Sequence, residues 1–202
     1  MKPALFIDFV GTMCHDRFWK SLGEDDYARV NGFLFDDGKL VNAWMRGDYS
    51  SEQICVILAK ELNIVYPRLW DSLLGDCSSM RVAADDLGKI DKLREHYTMA
   101  IVTANMDCFD RFIVPALGLD KHFDFIVNSC NGGVFKHDGN GNESGLFEVA
   151  LSKTGADINA SILIDDSEKA CAAFKKLGGR VLKVDKQKFL GYWLDDLLTK
   201  TI

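Results

Sequence analysis

Ala4-Leu5-Phe6-Ile7-Asp8-Phe9-Val10-Gly11-Thr12 decides the fold: four apolar residues end in a carboxylate, and a glycine follows three positions later. An uninterrupted apolar run of this length reads as a parallel strand covered on both faces. Similar short runs recur at Met99 to Thr103, Phe123 to Asn128, Ser161 to Asp165 and Arg180 to Val184. Between them the apolar residues switch to helical spacing, as in Leu87, Ile90, Leu93 and Tyr97, in Phe109, Phe112, Ile113 and Leu117, and in Cys171, Phe174 and Leu177. Gly118 and the Gly178-Gly179 pair stand where helix C-termini favour glycine. Strands alternating with helices predict an α/β fold with a doubly wound parallel sheet, whose ligands sit beyond the carboxyl ends of the strands.

One stretch breaks the alternation. Residues 15–79 contain no convincing strand, and we expect them to form a small all-helical cap domain on an α/β core made of residues 1–14 and 80–202. Within it, Ser50-Ser51-Glu52-Gln53 reads as a capping box before a helix with Ile54, Ile57, Leu58 and Leu62 on one face, and Tyr66 to Leu74 as a second helix around Pro67. Trp19, Trp44 and Trp70 are expected in the interior of the insert or at its contact with the core. The terminal pattern Phe189, Leu190, Trp193, Leu194 and Leu197 predicts a helix packed on the sheet.

The 202 residues suffice for one core carrying a smaller insert. A net charge of -6, with no Lys/Arg stripe, argues against general nucleic-acid binding, and no apolar run approaches the roughly 20 residues that span a bilayer. Asp8 interrupts the first apolar run after four residues, so that run is too short for a secretory signal, and a cytoplasmic location is expected. Six scattered cysteines without a C-x-x-C pair read as reduced thiols in or near the core. Asp138, Asn140 and Asn142 mimic the opening of a Ca²⁺ loop, but Glu143 takes the place of the glycine and Val149 that of the closing glutamate, so no Ca²⁺ site is expected. Nothing in the sequence fixes an oligomeric state; the expected partner is a small anionic molecule.

Aspartates close two of the runs, Asp8 the first and Asp165-Asp166 the fourth. In an open parallel sheet these ends converge on one crevice. Carboxylates about 5 Å apart repel by roughly 3 kcal/mol per pair at an effective dielectric near 20, so such a cluster calls for a cation. Oxygen donors select Mg²⁺. Thr103, at the end of the second run, brings a hydroxyl and the N–H that follows it to bind an anionic oxygen. Lys136, after the third run, is placed to neutralise Asp8 and a bound anion, with Lys153 as the fallback.

The segments at 4–12, 99–105, 133–136 and 161–167 (ALFIDFVGT, MAIVTAN, the G-x-x-K of Gly133 to Lys136, and SILIDDS) resemble, in order, the four motifs of the haloacid dehalogenase superfamily. The place and helical content of the insert are similar to that superfamily's helical cap, and Arg46-Gly47-Asp48-Tyr49-Ser50 resembles a common cap segment. The resemblance implies a Mg²⁺-dependent phosphohydrolase in which Asp8 attacks phosphorus and becomes an aspartyl phosphate that water then hydrolyses. It also implies phosphate contacts from Asp8, Phe9, Thr103, Ala104 and Lys136, and metal contacts from Asp8, the Val10 carbonyl and Asp166, with Asp165 acting through bound water.

The sequence departs from that pattern two residues after Asp8, where phosphatases of the family usually carry an acid/base aspartate and this chain has Val10. Loss of a positioned acid or base costs a factor of about 10² to 10⁴. Three explanations follow: a phosphatase whose acid comes from elsewhere, such as His15, His137 or a residue of the insert; phosphonate or haloacid chemistry; or a phosphate-binding protein with little turnover. The Asp165-Asp166 pair argues against a dehalogenase, and a phosphonatase would need Lys20, Lys39 or Lys60 as its Schiff-base lysine.

Overall fold

The computed structural model of the protein describes residues 2–139 and 145–201. Five parallel strands, β1 (Ala4–Ile7), β2 (Thr98–Thr103), β3 (Phe125–Asn128), β4 (Ile162–Asp165) and β5 (Arg180–Lys183), form one sheet in the order β3-β2-β1-β4-β5. All five lie where the apolar runs put them, within two residues at either end. The order reverses at β1: the chain winds outward through β2 and β3 on one side and through β4 and β5 on the other. The crevice beyond the C-terminal ends of β1 and β4 is therefore the ligand position of a doubly wound sheet.

Each strand alternates its side chains between two covered faces. Leu5, Ile7, Met99, Ile101, Ile162 and Ile164 pack on one side against α5 (Ala84–Leu93) and α9 (Leu190–Thr201), while Phe6, Val102 and Leu163 pack on the other against α7 (Leu146–Thr154) and α8 (Glu168–Lys176). Phe174 of α8 meets both Phe6 and Phe147 edge-on, at centroid distances of 5.7 and 4.9 Å.

Among the described residues, everything regular between β1 and α5 is helical: a 3₁₀ turn at Lys20–Leu22, then α1 (Glu24–Phe35), α2 (Lys39–Met45), α3 (Ser51–Leu62) and α4 (Tyr66–Ser79). The expected capping box forms at Ser50, whose hydroxyl accepts from the Gln53 N–H while the Gln53 side chain accepts from the Ser50 N–H. Pro67 sits in the first turn of α4, where its missing N–H costs nothing. Helices α1 and α2 were not evident in the sequence.

The insert shares its interior with the sheet. Trp19, Trp44, Ile54, Leu58, Leu69 and Leu73 belong to the same buried cluster as Leu5 and Ile7. Trp19 and Trp44 lie 5.7 Å apart, and Trp70 stacks on Tyr66 and meets Phe112, from beyond β2, at 5.9 Å. Polar contacts reinforce the junction at Asp107, whose Oδ1 accepts from Trp44 Nε1 at 2.8 Å and from Ser51 Oγ at 2.7 Å. Its Oδ2 accepts from Arg111 Nη1 at 2.7 Å. Arg111 also pairs with Glu52 of α3 and holds that carboxyl down at about 2.

The pattern expected at Phe109 to Leu117 is helical but opens as a π-helical turn (Phe109–Ile113) before the short α6 (Val114–Leu117), which Gly118 ends at φ +62. All six cysteines are free thiols, five of them buried. Asn140, Asn142 and Glu143 of the Ca²⁺-like stretch lie outside the described residues. No helix is long and apolar enough to cross a membrane among the described residues.

Candidate active site

Sheet register brings the aspartates together. Ile7 of β1 is paired with Ile164 of β4, so the residues that follow them, Asp8 and Asp165, leave adjacent strands at the same height. The Asp8 N–H donates to the Ile164 carbonyl at 3.0 Å, which prolongs the pairing into the first residue beyond the strand. Asp166 comes next, and oxygens of Asp8, Asp165 and Asp166 all lie within 4.8 Å of one another.

Residues 9–14 then fold into a tight loop in which the Phe9 carbonyl accepts from both Met13 and Cys14 N–H, and Gly11 N–H donates to the Cys14 carbonyl at 2.8 Å. Gly11 is needed there twice over: its φ is +90, and a Cβ on it would come 2.5 Å from Asp166 Oδ2. Thr12 Oγ1 donates to Asp166 Oδ1 at 3.3 Å, so the loop after β1 also orients the carboxylate after β4.

Lys136 reaches this cluster from the loop after β3, and its Nζ donates to Asp8 Oδ1 at 2.5 Å and to Asp165 Oδ2 at 2.7 Å. Burial would lower the ammonium's pKa, but the two carboxylates outweigh it and hold Lys136 above its ordinary value. Asp8 shows the opposite balance: burial, with help from Asp165 and Asp166, pushes its carboxyl up to about 6 despite the Lys136 charge beside it. Three carboxylates against one ammonium leave two negative charges uncompensated when all are ionised. Asp165 has both oxygens engaged, Oδ2 by Lys136 and Oδ1 by the Ser167 N–H at 2.8 Å, so Asp8 and Asp166 are the members best placed to hold a cation directly.

Thr103 is fully buried at the end of β2, and its Oγ1 has no hydrogen-bond partner among the described residues. Asn105 Nδ2 is a second buried donor without an acceptor among the described residues. Groups of this kind cost about 1–3 kcal/mol each when left unmade, so they call for a partner that joins the site. The Asn105 N–H itself bonds Asn128 Oδ1 and Ser129 Oγ, both at 3.1 Å, which fixes the loop after β2 against the loop after β3.

A cavity of about 310 Å³ opens over the cluster, lined by Asp8, Val10, Ala104, Lys136, Asp165 and Asp166 from the expected set. Of the remaining expected residues, Thr103 is fully buried and does not itself border the cavity, and Phe9 turns its ring into the core against Phe109 at 4.8 Å. That orientation leaves the Phe9 main chain as the part able to meet a ligand. His137 lines the cavity, whereas His15 lines an adjoining depression with Gly11, Asp166, Lys183 and Asp185 and does not border Asp8 or Lys136 there. Lys153 is an exposed residue of α7, and Lys136 occupies the position beside Asp8 for which the two were alternatives.

Sequence reasoning missed the cavity walls: Asn42 and Met45 from α2, Phe135, and Ser167, Lys169 and Ala170 at the start of α8. It also missed the part played by Arg46. The Arg46 guanidinium lies 4.1 Å over the Phe135 ring, donates to the Gly133 carbonyl at 2.5 Å and pairs with Asp138 at 2.8 Å, so a residue of the insert grips the loop that carries Lys136. Next to it, Gly47 (φ +83) packs directly on the Cys130 carbonyl, and Ser129 Oγ donates to the Met45 carbonyl at 2.6 Å. The only sequence signal was the Arg46-Gly47 segment itself.

No family model matches the sequence, and no curated protein does. Solved structures do. A predicted HAD-like family hydrolase from Porphyromonas gingivalis aligns with 20% identity and a TM-score of 0.74 over 100% of this chain and 98% of that one. A HAD family enzyme from Bacteroides thetaiotaomicron, in complex with magnesium and inorganic phosphate, aligns at 13% identity and TM-score 0.71 over 92% of this chain and 95% of its own. A 2-haloacid dehalogenase from Pseudomonas syringae pv. Tomato aligns at 14% identity and TM-score 0.69 over 100% of both chains. The chain therefore has the haloacid dehalogenase-like hydrolase fold along its whole length.

Proposed function

We propose that the protein is a Mg²⁺-dependent phosphohydrolase that acts on a small phosphorylated metabolite through an aspartyl phosphate on Asp8, with residues 15–79 serving as a cap. The observation that carries this reading is the charge imbalance of the cluster. Lys136 is buried between Asp8 and Asp165, yet three carboxylate oxygens within 4.8 Å of one another still exceed what one ammonium compensates. The donor set, all hard oxygen, fits Mg²⁺, which Asp8, the Val10 carbonyl and Asp166 would hold, with Asp165 acting through bound water. When bound, the ion supplies the charge neutralisation that lets a phosphate dianion approach a carboxylate nucleophile.

The chain's own groups would do the rest. Asp8 attacks the phosphorus in line with the leaving oxygen; the Lys136 ammonium, the Thr103 hydroxyl and the main-chain N–H groups of Phe9 and Ala104 bind the non-bridging oxygens. The unpartnered Thr103 Oγ1 supports this assignment, because a phosphoryl oxygen would satisfy it. Water then cleaves the aspartyl phosphate. Asn42 and Met45 support the cap reading, since they bring part of the insert to the cavity that holds Asp8.

The other chemistries fit less well. Haloacid chemistry, which the resemblance pairs with no Mg²⁺, would leave the uncompensated charge of the Asp8, Asp165 and Asp166 cluster without a cation. A Schiff-base mechanism needs a lysine of the insert at the cavity, but Lys39 and Lys60 are 88% and 82% exposed and paired with Asp37 and Glu61, and Lys20 is exposed as well. Phosphate release from a panel of sugar and polyol phosphates, with and without Mg²⁺, tests the proposal. Turnover that needs Mg²⁺ and vanishes in Asp8→Asn supports it; no turnover, with beryllofluoride still bound, would instead indicate a binding protein.

A further inference from the structure

Val10 is 36% exposed and borders the cavity, so the position that would carry an acid/base aspartate presents only an isopropyl group to the leaving oxygen. A phosphohydrolase of alkyl esters needs a proton donor on that side. Few cavity groups can supply one. Asp8 is the nucleophile, Lys136 and Asp165 are buried in a mutual ion pair, and Asp166 is committed to the cation. Among the described titratable residues that line the cavity, that leaves His137 and Lys169. A lysine ammonium gives up its proton reluctantly and, while protonated, is no base; an imidazole serves as both acid and base.

The position of His137 supports the choice. Its ring stacks on Phe135 with centroids 5.7 Å apart and planes 20° apart, and Phe135 is itself buried beneath the Arg46 guanidinium. The imidazole is thus held by a packed partner although it is exposed to solvent. It borders both the Asp8 cavity and a neighbouring one of about 660 Å³ that it shares with Lys136, Glu148 and Lys169. The charges around it are of both signs: Lys136 and Asp138 on its own loop, Arg46 just after α2, Glu148 on α7 and Lys169 on α8.

We propose that His137 is the acid and base of the reaction in place of the residue missing at Val10. The inference rests on the phosphohydrolase reading above. In the first half-reaction Asp8 forms a bond to phosphorus, the bond from phosphorus to the ester oxygen breaks, and the imidazolium of His137 gives that oxygen its proton, releasing a neutral alcohol. In the second, neutral His137 takes a proton from water as the water oxygen bonds to phosphorus and the Asp8–phosphorus bond breaks. Inorganic phosphate leaves, and the imidazolium is restored.

The experiment compares wild type, His137→Ala, His137→Gln and His15→Ala on two substrates with Mg²⁺: the best alkyl monophosphate of the panel, and p-nitrophenyl phosphate, whose leaving group departs as an anion. Both His137 variants should lose about 10²-fold or more in kcat/KM on the alkyl ester and less than about 5-fold on p-nitrophenyl phosphate, because kcat/KM reports the step that forms the aspartyl phosphate. The blocked second step should appear as a burst of p-nitrophenol followed by a slow steady state. His15→Ala should match wild type on both substrates. Equal losses on both substrates in the His137 variants, or none, would overturn the role. So would a wild type that turns over only p-nitrophenyl phosphate, since it would then have no acid to lose. A wild type inert on both overturns the phosphohydrolase reading itself, and the role of His137 with it.

Discussion

The Arg46 guanidinium lies 4.1 Å over the Phe135 ring, one residue before the lysine that bridges Asp8 and Asp165. A side chain of the insert thereby helps to set where the active-site ammonium sits. Arg46→Ala removes a cation–π contact worth about 0.5–2 kcal/mol and a half-exposed ion pair worth under about 1. It should lower the melting temperature by only a few degrees, since each kcal/mol moves a chain of this size by about 2–4 °C. The larger effect should be on inorganic phosphate, whose affinity we expect to fall about tenfold in titration calorimetry. Arg94→Ala breaks a comparable pair with Asp124 far from the cavity and serves as control. An equal loss of phosphate affinity in both variants would show that Arg46 acts through general stability alone.

Asp8 makes the metal-free protein sensitive to pH. Its carboxyl rises from 3.8 to about 6 on folding, so the folded chain binds this proton more tightly than the unfolded chain. The stability contributed is full below pH 3.8 and is lost as the pH rises through about 6, a change of roughly 3 kcal/mol. Asp8→Asn escapes that loss. Its melting temperature, measured without metal, should gain on wild type between pH 5 and pH 8, and Mg²⁺ should close the gap by stabilising wild type alone. A constant difference across that range would contradict the assignment.

Gly11 predicts a selective metal defect. Alanine there must adopt a left-handed φ, at roughly 1–2 kcal/mol, and its Cβ would collide with Asp166 Oδ2. Displacement of Asp166 should weaken Mg²⁺ binding more than tenfold while the fold persists. Unchanged Mg²⁺ affinity in a folded Gly11→Ala would separate Asp166 from the metal.

Asp107→Ala should be among the costly changes outside the cavity. It strands the Trp44 indole N–H, which belongs to a fully buried side chain, at about 1–3 kcal/mol, and removes an acceptor from Ser51 as well. The denaturation midpoint should fall accordingly. Arg111→Ala removes the more exposed pairs with Glu52 and Asp107 and a cation–π contact with Phe112, strands no fully buried donor, and should cost less.

The strands and the cluster could be read from the sequence because each depends on a local signal: an apolar run with a polar residue at its end. Sheet geometry then brings Asp8, Asp165 and Asp166 together whatever the connecting segments do. Helix α1 gave no such signal; it buries only Val30 and Leu34 of its 12 residues, so its apolar stripe is too sparse to stand out. Asn42 and Met45 were invisible for a different reason. Their approach to Asp8 depends on how α2 docks, and that docking is fixed by partners distant in sequence, such as Ser129 and Asp107. The π-helical turn at Phe109–Ile113 carries no sequence mark that separates it from an ordinary helix.

The buried thiols turn the junction between insert and sheet into its own reporter. Cys55 on α3, Cys77 on α4 and Cys108 after β2 are all fully enclosed, and burial pushes the Cys55 thiol up to about 12. Alkylation at these positions must wait for the surrounding structure to open, so its rate counts openings as amide exchange does. Cys171 on α8 is enclosed within the α/β core, where its Sγ donates to the Asp165 carbonyl at 3.6 Å, and reports opening of that core itself. If phosphate bridges the two parts of the molecule, it should slow labelling at Cys55 and Cys77 more than at Cys171, which gives a clock for insert motion in the unmodified protein.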